Sequence, residues 1–116
     1  MHEIGIARMR LRTVEKYSEE NSVTKIAEVV CDCGELSLVI SEYLEKVYPT
    51  VAKGTILNDA KLIINIVEGF AECDDCDEIF NVIEHKGCCP VCGSFSKTVL
   101  SGRDFTVREI HCLDGR

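Results

Sequence analysis

The sequence predicts an α+β protein in which a small helix–sheet domain carries an inserted, cysteine-rich ribbon. Three observations support this fold class. Two segments space their apolar residues as helices do, three segments alternate as strands do, and residues 70 to about 95 are rich in Cys, Asp and Gly. The chain has 116 residues, of which 46% are hydrophobic. That length suits one compact unit or two small subdomains.

Two helices are predicted. Residues 4–19 place five apolar residues at three- and four-residue spacing, which defines the buried face of an amphipathic helix. These residues are Ile4, Ala7, Leu11, Val14 and Tyr17. Asn21 is expected to end this helix. A second helix is predicted over about 40–53, with Gly54 as its stop and Pro49 as a point where it kinks or restarts.

Three strands are predicted, over residues 23–33, 60–68 and about 103–111, because apolar residues alternate there with polar ones. In the first strand Cys31 and Cys33 are two residues apart, so their side chains share one face of the sheet. We expect them to be buried and to pack as small hydrophobes. A second soft-metal or redox site is the alternative.

The clearest chemistry lies in two C-x-x-C pairs within the ribbon, Cys73/Cys76 and Cys89/Cys92, which are separated by 12 residues. Each pair can contribute two sulfurs from one tight turn, and the intervening segment can fold back to bring the turns together. Zn²⁺ favours a tetrahedral set of four thiolates, at about 2.3 Å per bond. The spacing is typical of a zinc ribbon.

Other interpretations of the cysteines stay open at this point. Cys88 adjoins Cys89 and could compete as a ligand, but the Cys-Pro-x-Cys-Gly pattern favours Cys89. A rubredoxin-like electron carrier would hold one iron on similar knuckles. A disulfide framework is less favoured, since C-x-x-C pairs in a reducing compartment are more often metal sites. We expect His85, His111 and Cys112 to be surface residues rather than ligands.

Charge and hydropathy exclude several classes of function. The formal net charge is −7, and the ribbon itself is acidic, which disfavours nucleic-acid binding because that depends on Lys and Arg at phosphates. No apolar run approaches the roughly 18–20 residues of a membrane span. Charged residues interrupt the first twelve positions, whereas a signal peptide has a continuous apolar region. We therefore expect a soluble, cytoplasmic protein.

The first three residues, Met1-His2-Glu3, offer a second metal site of a different kind. A terminal amine, the next backbone amide and an imidazole can form fused chelate rings around one ion. Such nitrogen-rich, square-planar sites suit Ni²⁺ and Cu²⁺. The simpler interpretation of His2 is an exposed residue at a frayed end.

The chain resembles the HypA/HybF family over residues 1 to about 111, essentially its whole length. Each shared motif is weak alone, but their order and spacing are together specific. The motifs are Met1-His2-Glu3 at the start of a helix, Gly34-Glu35-Leu36-Ser37, Lys53-Gly54-Thr55, Cys73-x-x-Cys76, and Cys89-Pro-x-Cys92-Gly-Ser94.

This resemblance implies a nickel metallochaperone for maturation of nickel–iron hydrogenase, and in some organisms of urease, rather than an enzyme. It also implies two partners, a HypB-type GTPase and the hydrogenase large subunit, and leaves room for a homodimer. By position, His2 is the implied nickel ligand, with Met1 and Glu3 completing or supporting the site. The implied zinc ligands are Cys73, Cys76, Cys89 and Cys92. Glu3 could coordinate nickel, or it could only cap the helix and position His2.

The resulting expectation has two parts. Residues 1–69 plus 97–116 form the nickel-binding α/β domain, and residues 70–96 form the zinc ribbon. Ni(II) is a transient cargo and Zn(II) a structural cofactor. A zinc-ribbon scaffold without nickel function is the remaining alternative.

Overall fold

The computed structural model describes residues 2–113, with the backbone alone for His2. Within them lie two helices and six strands, in the order α1 (His2–Glu20), β1 (Ile26–Gly34), α2 (Ser41–Ala52), β2 (Lys61–Val67), β3 (Phe70–Cys73), β4 (Ile79–Asn81), β5 (Lys97–Val99) and β6 (Phe105–Cys112). The predicted α+β class and order of elements are confirmed, and each predicted strand begins within three residues of its expected start. Neither helix in this part of the chain is long and apolar enough to cross a membrane.

The larger sheet has the strand order β2-β1-β6. Its central strand, β1, runs parallel to β2 and antiparallel to β6. A parallel pair needs a crossover connection, and α2 provides it. Apolar residues of both helices and β1 share one buried core, including Leu11, Leu44 and Val29. This core is what fixes α1 relative to the sheet.

The two cysteines of β1 are part of that core. Cys31 is 3% exposed and Cys33 is 2% exposed, so the prediction of buried thiols is confirmed. Burial, reinforced by the neighbouring Cys33 and Asp32, raises the pKa of the Cys31 thiol to about 11. A neutral thiol is a poor metal ligand and nucleophile. Within residues 2–113, neither cysteine belongs to a group of side chains close enough to hold a metal.

Two local predictions were wrong. Tyr17 is 44% exposed, and Ser18, 2% exposed, takes the buried position instead. The Ser18 hydroxyl donates a hydrogen bond of 2.9 Å to the Val14 carbonyl, which satisfies it inside the helix. The second helix continues unbroken past Pro49. Proline lies in its last turn, where the Lys53 N–H donates to the Pro49 carbonyl and closes the helix.

The ribbon is a second three-stranded sheet, in the order β4-β3-β5 with antiparallel pairing throughout. Its buried core contains only Ala71, Cys73, Phe80 and Cys89. Because β5 pairs with β3, this sheet extends to Val99, beyond the boundary expected at residue 96. Alternation in the sequence identifies a strand but does not reveal which sheet it joins. The return of β5 alongside β3 is what brings the two cysteine pairs together.

A close backbone junction joins the ribbon to the larger sheet. A Cβ on Gly34 would lie 2.1 Å from the Gly102 carbonyl oxygen, so this crossing requires glycine. Next to it, the Glu35 carboxylate accepts the Gly69 N–H at 2.8 Å and the Asn81 side-chain amide at 3.3 Å. Gly69 directly precedes β3 and Asn81 ends β4. The Gly34-Glu35 dipeptide therefore fastens both the connection and the ribbon.

Candidate metal sites

Four thiols converge at the tip of the ribbon. The Sγ atoms of Cys73, Cys76, Cys89 and Cys92 all lie within 4.8 Å of one another. The Cys73–Cys92 and Cys76–Cys89 sulfur pairs are each 3.5 Å apart. A tetrahedron of Zn–S bonds of about 2.3 Å has edges of about 3.8 Å. The thiols therefore fit a tetrahedral zinc ion, and these four residues would hold it.

The two knuckles share one backbone geometry. The N–H of Cys73 donates to Glu78, five residues on, as the N–H of Cys89 donates to Ser94. One residue after each second cysteine, Asp77 and Gly93 have positive φ values of 66° and 77°. Glycine suits that conformation, and Asp is among the side chains that tolerate it best. This turn projects both sulfurs of each pair to the same side.

Exposure divides the four ligands into two pairs. Cys73 and Cys89 are buried, whereas Cys76 and Cys92 are exposed. Burial raises the pKa of Cys89. Hydrogen bonds from the N–H groups of Cys92 and Val91 and from the neighbouring thiol of Cys76 lower it by more, so that the pKa is about 7. The Val91 N–H lies 3.4 Å from the Cys89 sulfur. Cys89 thus favours the thiolate, the form that binds metal, whereas the pKa values of the exposed Cys76 and Cys92 are raised.

A set of hydroxyl–carboxylate hydrogen bonds ties the first knuckle to the segment that follows the second knuckle. Asp74 accepts hydrogen bonds from Ser96 at 2.8 Å and Thr98 at 2.9 Å, and Asp75 accepts one from Ser94. Sequence reasoning missed these bonds and treated the aspartates only as negative charge. A usable signal was present, since the three hydroxyls recur at every second residue, Ser94 and Ser96 just before β5 and Thr98 within it.

The other candidate ligands in the ribbon, Cys88 and His85, lie outside the four-sulfur group, as expected. The four-sulfur group includes Cys89 and not Cys88, in agreement with the Cys-Pro-x-Cys-Gly pattern. His85 is not among its members; its ring is partly exposed and meets Phe80 edge-on, with the ring centres 6.2 Å apart. His85 therefore packs against the small core, outside the metal cluster.

The C-terminal candidates, His111 and Cys112, lie on the surface, as expected. The two His111 ring nitrogens lie 2.7 Å from Glu28 and 3.2 Å from Glu109. These hydrogen bonds raise the pKa of His111. The result is a surface clasp between β1 and β6.

The predicted nickel site is only partly within the described residues. Met1 lies outside them, and the backbone of His2 begins α1. The Glu3 side chain is 4% exposed, and its carboxylate accepts the N–H of Ile40 at 3.5 Å, immediately before α2. Sequence analysis did not anticipate this contact, because nothing in the pattern links positions 37 residues apart. The bond attaches the start of α1 to the start of α2.

Comparison with known proteins covers nearly the whole chain. A family model described as "Hydrogenase/urease nickel incorporation, metallochaperone, hypA" matches residues 1–112. The chain is 33% identical to the hydrogenase maturation factor HypA of Parabacteroides distasonis, covering 95% of this chain and 96% of that protein. It is also 33% identical to HypA of Aquifex aeolicus, with the same two shares. With HypA of Geobacter sulfurreducens the identity is 34%, over 95% of this chain and 97% of that protein.

Solved structures show the same fold. The solution structure of the nickel metallochaperone HypA from Helicobacter pylori has a TM-score of 0.69 at 23% identity, covering 96% of this chain and 97% of that one. A second solution structure of a HypA protein has a TM-score of 0.69 at 25% identity and covers 97% of each chain. The chain therefore belongs to the HypA family of hydrogenase maturation factors, which are nickel metallochaperones and not enzymes.

Proposed function

We propose that this chain binds Ni²⁺ at its N-terminus and delivers it for the maturation of nickel–iron hydrogenase. The observation that supports this most is that the match to the nickel-incorporation family begins at residue 1, and so includes Met1-His2-Glu3. The terminal amine, the following backbone amide and the His2 imidazole supply the donors. Glu3 supports the site from within the fold, since its carboxylate is engaged with the Ile40 N–H.

A terminal site suits a carrier because it is open and can give up its ion. Affinity alone cannot make it select nickel, since Cu²⁺ binds such nitrogen donors more tightly. Selection therefore comes from which metal is supplied and from the protein that docks to receive it. In this proposal the N-terminal site that carries nickel is separate from the four-thiol site that stabilises the fold.

We propose further that Zn²⁺ occupies the four-thiol site and serves structure. A site closed by four thiolates has no open position for chemistry. The ribbon, residues 70–96 in the sequence prediction and 70–99 by strand pairing, is then a zinc-dependent unit. Residues 1–69 together with the chain after the ribbon form the nickel-binding unit.

The partners follow from the family resemblance. They are a HypB-type GTPase and the hydrogenase large subunit, with a homodimer as an assembly still to be measured. Urease is a second enzyme that the carrier could serve. A cytoplasmic site of action fits these partners.

The test is a nickel titration of untagged protein with its native N-terminus. His2→Ala should abolish tight Ni²⁺ binding while zinc content and fold are unchanged. His85→Ala is the matched control, because it removes an imidazole that lies beside Phe80 and should leave nickel affinity intact. Adding one residue before Met1 should weaken binding as well, since it displaces the amine. Unchanged nickel binding in His2→Ala would leave a zinc-ribbon scaffold as the better description, and a red, iron-containing protein would favour the electron carrier.

Nickel binding should also depend on pH. Protons compete with Ni²⁺ for the imidazole, whose unperturbed pKa is about 6.5. Affinity should therefore fall sharply between about pH 7.5 and about pH 6. An affinity that does not change over this range would count against His2 as a ligand.

A further inference from the structure

Three large apolar side chains lie exposed beside the N-terminal end of α2. Leu38 is 82% exposed, Ile40 47% and Tyr43 48%; together they are called here the Leu38 patch. The Tyr43 N–H donates to the Ile40 carbonyl at 3.1 Å, so these two residues lie one turn apart, and Leu38 precedes Ile40 by two residues. Clustered exposed apolar residues mark interaction sites more often than isolated ones do.

Two of these residues occupy backbone positions that favour other side chains. Leu38 has φ +69°, a left-handed conformation in which Asn and Gly are more stable than Leu. Ile40 is the N-cap of α2 and makes no side-chain cap bond, at a position where Ser, Thr, Asp and Asn are preferred. Departures from local rules are expected at functional sites.

The patch adjoins Glu3, the described side chain that follows the proposed nickel ligands. The Glu3 carboxylate accepts the Ile40 N–H, and a cleft of about 240 Å³ beside it is lined by Glu3, Tyr43, Lys46 and Val47. A specific protein interface covers about 800 Å² on each partner. A protein that takes metal from the start of α1 would therefore also contact Ile40 and its neighbours.

The charge around the patch defines the partner further. Glu42 and Glu45 are exposed on the same helix, and the Lys46 ammonium lies 5.8 Å from the centre of the Tyr43 ring. The whole chain has a net charge of −7. A second copy would bring like charges together, whereas a basic rim on the partner would be attracted.

We propose that the Leu38 patch docks the protein that receives nickel, through a surface of apolar side chains bordered by Lys and Arg. This inference rests on the proposed nickel role of the N-terminus. Leu38 and Ile40 are kept, at some cost to local backbone preference, because the acceptor buries them.

The experiment compares Leu38→Asn and Ile40→Thr with wild type, using the nickel-free precursor of the hydrogenase large subunit from the same organism as the probe. Asn tolerates a positive φ and Thr is a good N-cap, so both variants should melt at the same temperature as wild type or higher. Both should keep the wild-type nickel affinity. Binding to the precursor should weaken at least about tenfold in each, and wild-type binding should weaken with added salt.

Leu113→Asn is the matched control. Leu113 is 69% exposed and follows β6, where its N–H donates to Lys25 just before β1 begins; the patch lies beyond the other end of β1. The control should bind the precursor like wild type. The inference is overturned if wild type does not bind the precursor, if both patch variants bind it normally, or if Leu113→Asn weakens binding equally. Loss of self-association alone would also overturn it, in favour of a second copy. Failure of the nickel proposal appears separately, as nickel affinity unchanged by His2→Ala.

Discussion

The two halves of this molecule are stabilised in different ways. The larger half encloses an apolar core of fifteen buried residues, ten of them from the two helices and β1. The ribbon has four, and two of them, Cys73 and Cys89, are also proposed zinc ligands. A core this small cannot offset the chain entropy lost on folding. We therefore expect the ribbon to depend on a bound metal for its fold, and the larger half not to.

The largest expected effect comes from breaking the zinc site. Structural zinc contributes on the order of 10–16 kcal/mol to folding in finger peptides. Cys76→Ser removes one ligand with little loss of packing, because Cys76 is exposed. Amide exchange in residues 70–99 should rise to near-unprotected rates while β1 and α1 stay protected. A ribbon that keeps its amide protection without metal would show that the metal does not hold it together.

A substitution in the core of the larger half should leave the ribbon intact. Leu44→Ala removes a side chain that is 2% exposed in the larger core, which should reduce the free energy of unfolding by about 2–5 kcal/mol. Urea denaturation followed by helix signal measures this. Zinc content and the protection of β3 should not change, because the ribbon has its own core. Simultaneous loss of zinc would mean that the two halves unfold as one.

The junction should give a smaller effect. Glu35→Ala removes the acceptor of the Gly69 and Asn81 hydrogen bonds, at a cost of about 1–3 kcal/mol if the Gly69 N–H stays buried. The ribbon should then tumble partly independently of the larger half in NMR relaxation. Glu42→Ala removes the same charge from an exposed position and serves as control. Identical relaxation in both variants would show that Glu35 does not fasten the ribbon.

Within the ribbon, the hydroxyl–carboxylate bonds should tune zinc retention. Asp74→Asn weakens the bonds to Ser96 and Thr98 and should speed zinc release to a chelator about tenfold, because these bonds hold the cysteine knuckle in place around the metal. Asp77→Asn makes the same change of charge in the same knuckle, at a residue whose φ of 66° Asn also tolerates. Equal release from both variants would indicate that charge alone sets the rate.

The smallest effect belongs to the surface of the larger half. Hydrogen bonds to Glu28 and Glu109 raise the pKa of His111. A raised pKa means that the clasp stabilises the fold below the ordinary pKa of about 6.5 and loses this contribution as pH rises through the raised value. The urea midpoint of wild type should therefore fall relative to His111→Gln between about pH 6 and about pH 8. If the urea midpoints of wild type and His111→Gln changed in parallel with pH, the clasp would contribute nothing to stability.

The same contrast explains what could be predicted from the sequence. Periodicity located the helices and strands of the larger half, and cysteine spacing located the thiol cluster, because both depend on local repeats. The assignment of β5 to the ribbon, the Glu3–Ile40 bond and the Glu35 junction depend on residues far apart in the chain. Ser18 replaced Tyr17 on the buried face because an internal hydrogen bond satisfied its hydroxyl, which an apolar pattern does not register.

The most direct test of the division between cargo and structure is X-ray absorption at both metal edges of protein with its native N-terminus, loaded with one equivalent each of zinc and nickel. We expect four sulfur ligands around zinc and only nitrogen or oxygen ligands around nickel, with an imidazole signature that disappears in His2→Ala. Sulfur in the nickel shell, or an imidazole signature that survives that substitution, would contradict this division.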